Sequence, residues 1–553
     1  MTLAQGLVFL YAITAVSSLA GLKRGRALRR QYVAWPVTTL ITLVVVGLAA
    51  PFLLWVLERF AGFTFGGNPL LLPVVLSILC MLGGFLGGLY WAKRGSAANK
   101  RSGAFGRGAL VFDGGAAQAA TRKLRSRMLR AKARLAPAQP SAQPLAQMPL
   151  TIAGVELPFE DEFKHLKCIG TTGTGKSTVI RELLHAALGR GDRAVIADPD
   201  GGYLARFYDP GRGDMILNPF DARSAKWDLF AELRNAYDVD ELAQAFIPDR
   251  GSDPTWTNFA RTLFAAVTAQ AQAAGIDDVG ELYRLLVAAP KEELQVLVAG
   301  TPAAPFLEAG SDKLFQGVRS TVTAAVKSLE FVCAQKTAPF SVREWVKSGR
   351  GVLFLPYQAD QIAALKAILS IWMRLAIFQT MSLGEGDHRL WFVVDELDAL
   401  GAINGLPDAL TRLRKFGGRC VLGLQSIAQA SANYGPGIAQ SLIENCGNTL
   451  ILRCSASEGG GTAQYASRLI GEREVVRRAR SVSRSTGARF GTGRGTRGHS
   501  EQTVTEFAVL SAEIEQLRDR TGLLKFASQP GWMRVAFPVY EIEKVAVPFA
   551  PIV

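Results

Sequence analysis

Charge disappears from the chain twice near its start. No charged residue lies between Arg30 and Glu58, and none lies between Arg59 and Lys93. A helix needs roughly 20 apolar residues to cross a bilayer, so the pattern predicts spans at about 37–56 and 70–90. Pro51 falls inside the first, where a bilayer helix tolerates it. Residues Leu3–Leu22 are also apolar and uncharged, but lack the positive n-region of a cleavable signal. They read as a third span with its N-terminus outside, or as a helix lying on the membrane. The first is preferred, because Lys23 onward stays inside either way.

Further along, short continuous apolar runs alternate with helical stretches. Leu166–Ile169, Ala194–Ala197, Val352–Leu355, Leu390–Val394, Cys420–Leu424 and Thr449–Leu452 suit strands of a parallel sheet covered on both faces. Between about 228 and 335 the pattern changes to helical spacing in Leu242–Phe246, Phe259–Ala274, Val279–Val287 and Val318–Phe331. An all-helical insertion in an α/β unit is predicted there. Residues 137–150, PAQPSAQPLAQMPL, form a Pro/Gln/Ala linker.

Charge sets the orientation. Lys23, Arg24, Arg26, Arg29 and Arg30 precede the first long span, and Lys93, Arg94, Lys100 and Arg101 follow the second. The loop between them holds only Glu58 and Arg59. Positive flanks remain inside, which places everything after residue 92 in the cytoplasm. Trp35, Trp55 and Trp91 sit near span ends, as interfacial anchors do. Two segments carry more than the whole net +15, leaving the rest slightly acidic: residues 93–134 hold twelve Lys/Arg against Asp113, and residues 473–497 hold eight Arg against Glu474. Such local basicity suits phosphates, on lipid or nucleic acid. Residues 121–134 read as a basic helix on anionic lipid or as a solvated connector. The second segment reads as a hairpin between Val475–Val482 and Gln502–Phe507, with a glycine-rich arginine tip that grips nucleic acid or is simply solvated. The six cysteines are scattered without CxxC spacing, and so read as reduced core residues with neither disulfides nor a zinc site.

The chemistry concentrates at Gly170-Thr171-Thr172-Gly173-Thr174-Gly175-Lys176-Ser177-Thr178, between a strand run and a helical run. This is the phosphate-loop spacing. Its glycines let backbone N–H groups converge on a polyphosphate, and the helix opening at Lys176 adds its positive end. Lys176 reaches the β/γ-phosphates and Ser177 holds Mg²⁺, so ATP and Mg²⁺ are the expected cofactors. Leu390–Val394 delivers Asp395 to the same sheet edge as a second Mg²⁺ residue, with Glu396 next to activate water. Gln425, after Cys420–Leu424, emerges there too and is a candidate γ-phosphate sensor. Arg412, Arg414 and Lys415 lie on the helical stretch after the Asp-Glu strand, where an arginine could stabilise transition-state charge within the subunit or from a neighbour. Asp198-Pro-Asp-Gly-Gly202 reads as a turn first and a nucleotide contact second.

Paired N-terminal spans, GTTGTGKST at 170–178, a helical insertion, VVDEL at 393–397, LTRLRKFG at 410–417 and GLQS at 423–426 together resemble the type IV coupling proteins of conjugative secretion, the TraD/TraG-like membrane ATPases. The likeness runs through most of 30–553. It implies a membrane region at 1–92, a basic juxtamembrane helix and linker at 93–150, a RecA-like P-loop NTPase domain at 151–227 and 336–553, and an all-α insertion domain at 228–335. It further implies a homohexamer in the bacterial inner membrane that pumps single-stranded DNA, with its bound relaxase, into a type IV secretion channel. On the matching positions Lys176 and Ser177 are phosphate and Mg²⁺ residues, Asp395 and Glu396 metal and water residues, Gln425 the γ-phosphate sensor, and Arg414 the finger for a neighbour's nucleotide. Two other functions stand beside this one. One is a nucleotide-gated receptor or scaffold for secretion substrates. The other is an FtsK-like translocase, disfavoured because the apolar tail Val545–Val553 replaces a basic recognition helix.

Overall fold

The structure is a computed structural model; it describes residues 3–24, 39–40, 44, 77–87, 104–112, 149–249, 254–403, 405–457, 460–483 and 496–552. The span expected at 37–56, the three tryptophan anchors, the basic helix at 121–134 and the tip of the arginine-rich hairpin lie almost wholly outside those residues. The chain divides into two compact units, residues 1–108 with 473–506, and residues 109–472 with 507–553.

In the first unit, Leu3–Arg24 is one continuous helix, and a second apolar helix, Ser77–Gly87, falls within the stretch expected to span at 70–90. The two meet at small residues: a Cβ placed on Gly84 would lie 2.3 Å from Ser17 Oγ and 2.6 Å from the Thr14 carbonyl. Close approach through Gly and Ser is how apolar helices pack where water provides no drive. The arginine-rich hairpin is also here, with strands Glu472–Ser483 and Thr496–Phe507, longer than the apolar runs suggested. Ala104–Gly108 adds an antiparallel third strand beside the first. Arg473 and Arg477 both pair with Glu506 on the opposite strand, so these two arginines serve the hairpin itself.

The second unit is built on a ten-stranded sheet. Its strands are β1 (Val111–Phe112), β2 (Leu166–Ile169), β3 (Arg193–Pro199), β4 (Met215–Ile216), β5 (Val352–Tyr357), β6 (Leu390–Val394), β7 (Gly418–Leu424), β8 (Asn448–Ile451), β9 (Thr521–Lys525) and β10 (Trp532–Ala536). The order is β1-β10-β9-β8-β2-β7-β6-β3-β5-β4. From β8 through β4 every pairing is parallel; β9 and β10 extend the sheet antiparallel. Side chains alternate between faces, as the two-residue strand period requires. Ala194, Ile196, Trp391, Val393 and Val421 pack under helix α1 (Lys176–Gly189). Val195, Phe392, Val394 and Leu422 join the core on the other face, where helix α2 (Ile362–Ser382) lies. Because both faces are covered, the strands read as unbroken apolar runs.

Among the described residues, α2 is the one helix long and apolar enough to cross a membrane. It is instead an interior helix, packed against β3, β5, Val342–Ser348 and Ala236–Phe246. The helical stretch between β4 and β5 includes Ala236–Phe246, Pro254–Ala273, Val279–Val287, Lys291–Leu297, Asp312–Val326 and Leu329–Cys333. Asp238 starts the first by accepting from the Asn235 backbone N–H at 2.7 Å, and Asp278 caps the third; such caps satisfy otherwise orphaned donors. Its entering and leaving legs run side by side, Lys226–Trp227 paired with Pro339–Phe340. Glu232 ties them, accepting from Trp227 Nε1 and from the backbone N–H groups of Val342 and Arg343.

At the start of β2, His165 is buried and in the left-handed region at φ 52°. The Cys420 backbone N–H donates to its Nδ1 at 3.0 Å, so Nε2 carries the proton and donates to the Leu410 carbonyl at 3.0 Å. That pair of bonds needs a neutral ring. Burial, with help from the Arg414 and Arg419 charges, lowers its pKa from 6.5 to about 4. A base whose folded pKa is lowered holds its proton better when unfolded. Its contribution is therefore complete above pH 6.5 and drains as the pH falls towards 4. At about 1.4 kcal/mol per pH unit, roughly 2 kcal/mol should be gone by pH 5. His165→Asn should be less stable at pH 7 but lose that much less between pH 7 and 5, read by urea unfolding with tryptophan fluorescence. Parallel losses in both proteins would remove His165 as the acid-sensitive group.

Candidate functional site

The parallel strands place their C-terminal ends along one edge, where loops carry side chains free of the sheet ladder. The loop 170–175 leaves β2 at this edge and enters α1. Gly173 and Gly175 have φ of 77° and 113°, conformations that a Cβ would strain. At Gly175 a Cβ would also crowd the Phe537 ring at 3.1 Å and Arg520 Cγ at 3.2 Å. The loop is fastened from outside, Thr171 N–H to the Arg453 carbonyl and Arg520 N–H to the Thr174 carbonyl, both at 2.9 Å. Lys176 Nζ turns back into the loop and donates to the carbonyls of Gly170 at 2.5 Å and Thr171 at 3.2 Å. Burial lowers its pKa, while Asp395 and Glu396 favour its charge.

Asp395, one residue past β6, is 6% exposed. Its Oδ2 accepts from Ser177 Oγ at 2.6 Å and from Tyr203 Oη at 2.8 Å. Its Oδ1 is buried and has no hydrogen-bond partner. A hydroxyl and a carboxylate oxygen are the hard donors Mg²⁺ takes, with phosphate and water completing its shell. The unpartnered Oδ1 fits that group. Among the described residues no set of three or more His, Cys, Asp or Glu could hold a metal without such help.

Glu396 stands beside it and accepts from Gln425 Nε2. Gln425 Oε1 in turn accepts from Thr172 Oγ1 at 3.2 Å. Half-burial and the neighbouring Asp395 raise the Glu396 pKa, with Lys176 opposing. Thus the loop, the acidic pair and the glutamine, which follow three separate strands, β2, β6 and β7, form one hydrogen-bonded group. A cleft of about 720 Å³ opens against them, with Thr171, Thr172 and Gln425 in its walls.

Arg414 is elsewhere. It is exposed in the turn Leu413–Phe416, which feeds the beginning of β7. Gln425 follows the other end of that strand, whose seven residues span about 20 Å. Arg412 and Lys415 share this far edge, where the Arg414 charge acts on His165. None of the three stands at the edge that carries the phosphate loop of this chain.

Further residues complete the site, among them Tyr203 and Tyr357, which no sequence run announced. Asp198, at the end of β3, accepts from the backbone N–H groups of Tyr203 and Leu204. The turn reading of 198–202 stands, and the turn has a product: it brings Tyr203 to Asp395. Burial pushes Asp198 up to about 7. Tyr357, closing β5, is buried with its hydroxyl unpartnered.

The type IV secretion-system coupling protein DNA-binding domain matches residues 149–538. Coupling protein TraD of Escherichia coli K12 is 31% identical over 402 residues, 71% of this chain and 55% of TraD. VirD4 of Bartonella henselae, a type IV secretion system-coupling protein, is 29% identical over 144 residues, 25% of this chain and 22% of its own. The chain thus spans about half the length of TraD and less of VirD4. Solved structures of TrwB, a bacterial conjugative coupling protein, superpose at 29% identity. The unbound form has a TM-score of 0.68 over 82% of this chain and 97% of that one. TrwB with ADP and Mg²⁺ has 0.67 over 81% and 97%, and TrwB with the ATP analogue ADPNP has 0.67 over 82% and 98%.

Proposed function

This chain belongs to the type IV secretion-system coupling proteins, and on that premise we propose that it is a membrane-anchored, hexameric ATPase. It couples ATP hydrolysis to sequence-independent movement of single-stranded DNA, with bound relaxase, into a type IV secretion channel. The observation that carries the enzymatic part is the bond between Ser177 and Asp395, which joins the phosphate loop to the acidic strand with Glu396 adjacent. The likeness to TrwB, solved with ADP and Mg²⁺, supports the same cofactors here.

In this reading the amides of Gly170–Thr178 and the Lys176 ammonium bind the β/γ-phosphates. Mg²⁺, held by Ser177 and Asp395 with the phosphates, would neutralise charge on the transferred group. Glu396 accepts the proton of the attacking water. Gln425 bonds to Glu396, and a γ-phosphate within its reach competes for that amide. Arg414 supplies positive charge to the site of the next subunit. Domain limits follow the sequence: membrane region 1–92, juxtamembrane segment and linker 93–150, nucleotide domain 151–227 and 336–553, helical insertion 228–335. The helices Leu3–Arg24 and Ser77–Gly87 support the membrane anchor, with the nucleotide domain on the cytoplasmic side.

The full chain in detergent should hydrolyse ATP several-fold faster with single-stranded DNA of any sequence, and the gain should shrink with added salt as phosphate contacts are screened. A rate indifferent to DNA would instead favour a nucleotide-gated receptor for secretion substrates.

A further inference from the structure

Asp395 keeps one buried oxygen, Oδ1, without a partner, and something must stop the carboxylate from rotating. We propose that Tyr203 is the positioning residue that does this: its hydroxyl, with Ser177, holds Oδ2 and leaves Oδ1 for the hydrated Mg²⁺ of a bound nucleotide. This rests on the nucleotide site above but assigns a residue outside the phosphate loop, the acidic strand and the glutamine.

Three observations carry it. Tyr203 Oη lies 2.8 Å from Asp395 Oδ2, bridging 192 positions of sequence. Ser177 Oγ shares that oxygen at 2.6 Å, and Oδ1 is the one without a partner. Tyr203 itself is 1% exposed and locked into place. Asp198 accepts its backbone N–H and that of Leu204, at 2.9 and 2.7 Å. Arg181 of α1 stacks 5.8 Å from its ring centroid. The C-terminal segment holds the chain on both sides of it. Val545 and Ala546 donate to the Ala205 carbonyl, and Gly201, at φ 63°, faces Pro548 so closely that a Cβ would sit 2.2 Å from its carbonyl oxygen. A phenol held this firmly loses little freedom on bonding, so the bond acts as a fixed strut. Partners that orient a metal ligand commonly decide affinity without touching the metal.

Tyr203→Phe preserves the ring and removes the strut. Mn²⁺, observed by electron paramagnetic resonance, can stand in for Mg²⁺ on the full chain in detergent with ADP. We expect roughly tenfold weaker Mn²⁺ binding in the variant, while ADP affinity and melting temperature in EDTA match the wild type. Those EDTA readouts separate positioning from packing. Mn²⁺ affinity unchanged from wild type would overturn the proposal, and so would a lower melting temperature or weaker ADP binding in EDTA, since the hydroxyl would then serve the fold. If the wild type took up no Mn²⁺ with ADP, the nucleotide-site reading itself would fall, a result distinct from a variant that merely equals a competent wild type.

Discussion

Lys176→Ala should abolish ATP turnover, lowering phosphate release by about a hundredfold or more, the scale on which preorganised charge acts on a transferred group. The lysine is 7% exposed and is the cation facing both Asp395 and Glu396. Without it, the site loses the side-chain cation that offsets those carboxylates as phosphates approach, and binding as well as chemistry suffers. The fold should survive, because Nζ bonds only to carbonyls of its own loop. A melting temperature near that of wild type would check this. The same variant tests the neighbour role of Arg414. Arg414→Ala leaves a complete phosphate loop, and Lys176→Ala leaves a complete arginine, so mixed oligomers contain some sites with both groups intact. Activity from the mixture, where each variant alone is inactive, is the expected result. Turnover by Lys176→Ala close to wild type would end the ATPase reading, and no recovery on mixing would remove Arg414 from catalysis.

The second large effect separates binding from chemistry. Glu396→Gln should bind ATP with near wild-type affinity and turn it over about a hundred to a thousand times more slowly, within the range a general base contributes. The substitution is nearly isosteric, and a glutamine at this position can still accept from the Gln425 amide. It cannot take a proton from water. Asp395, Ser177 and the loop remain as they are, so nucleotide retention measured by filtration should be unaffected. Turnover within a few-fold of wild type would assign the base elsewhere, while loss of binding would make Glu396 a structural support of the site.

These tests depend on features of unequal visibility. The phosphate loop is contiguous, and β2 and α1 frame it as the runs on either side imply. Six buried strands were legible because a sheet covered on both faces needs apolar residues at every position, as in Leu390–Val394. Arg414 was legible as a charged helical residue but not as one on the far edge, since that follows from the direction in which β7 runs. Helix α2 passes the length and hydropathy test for a membrane span, yet it is the helix that the sheet and the insertion close upon. Its composition reports burial without saying whether lipid or protein surrounds it.

Chemistry carried by neighbours in the chain could be read from residue order, because glycines at 173 and 175 and a hydroxyl after Lys176 act through local backbone geometry. The same holds for the acid that ends an apolar strand. Contacts such as Tyr203 with Asp395, or Gln425 with Glu396, arise only when parallel strands line up their ends. Strand order is set by the packing of the whole core, and no local period of hydrophobic and polar residues encodes it.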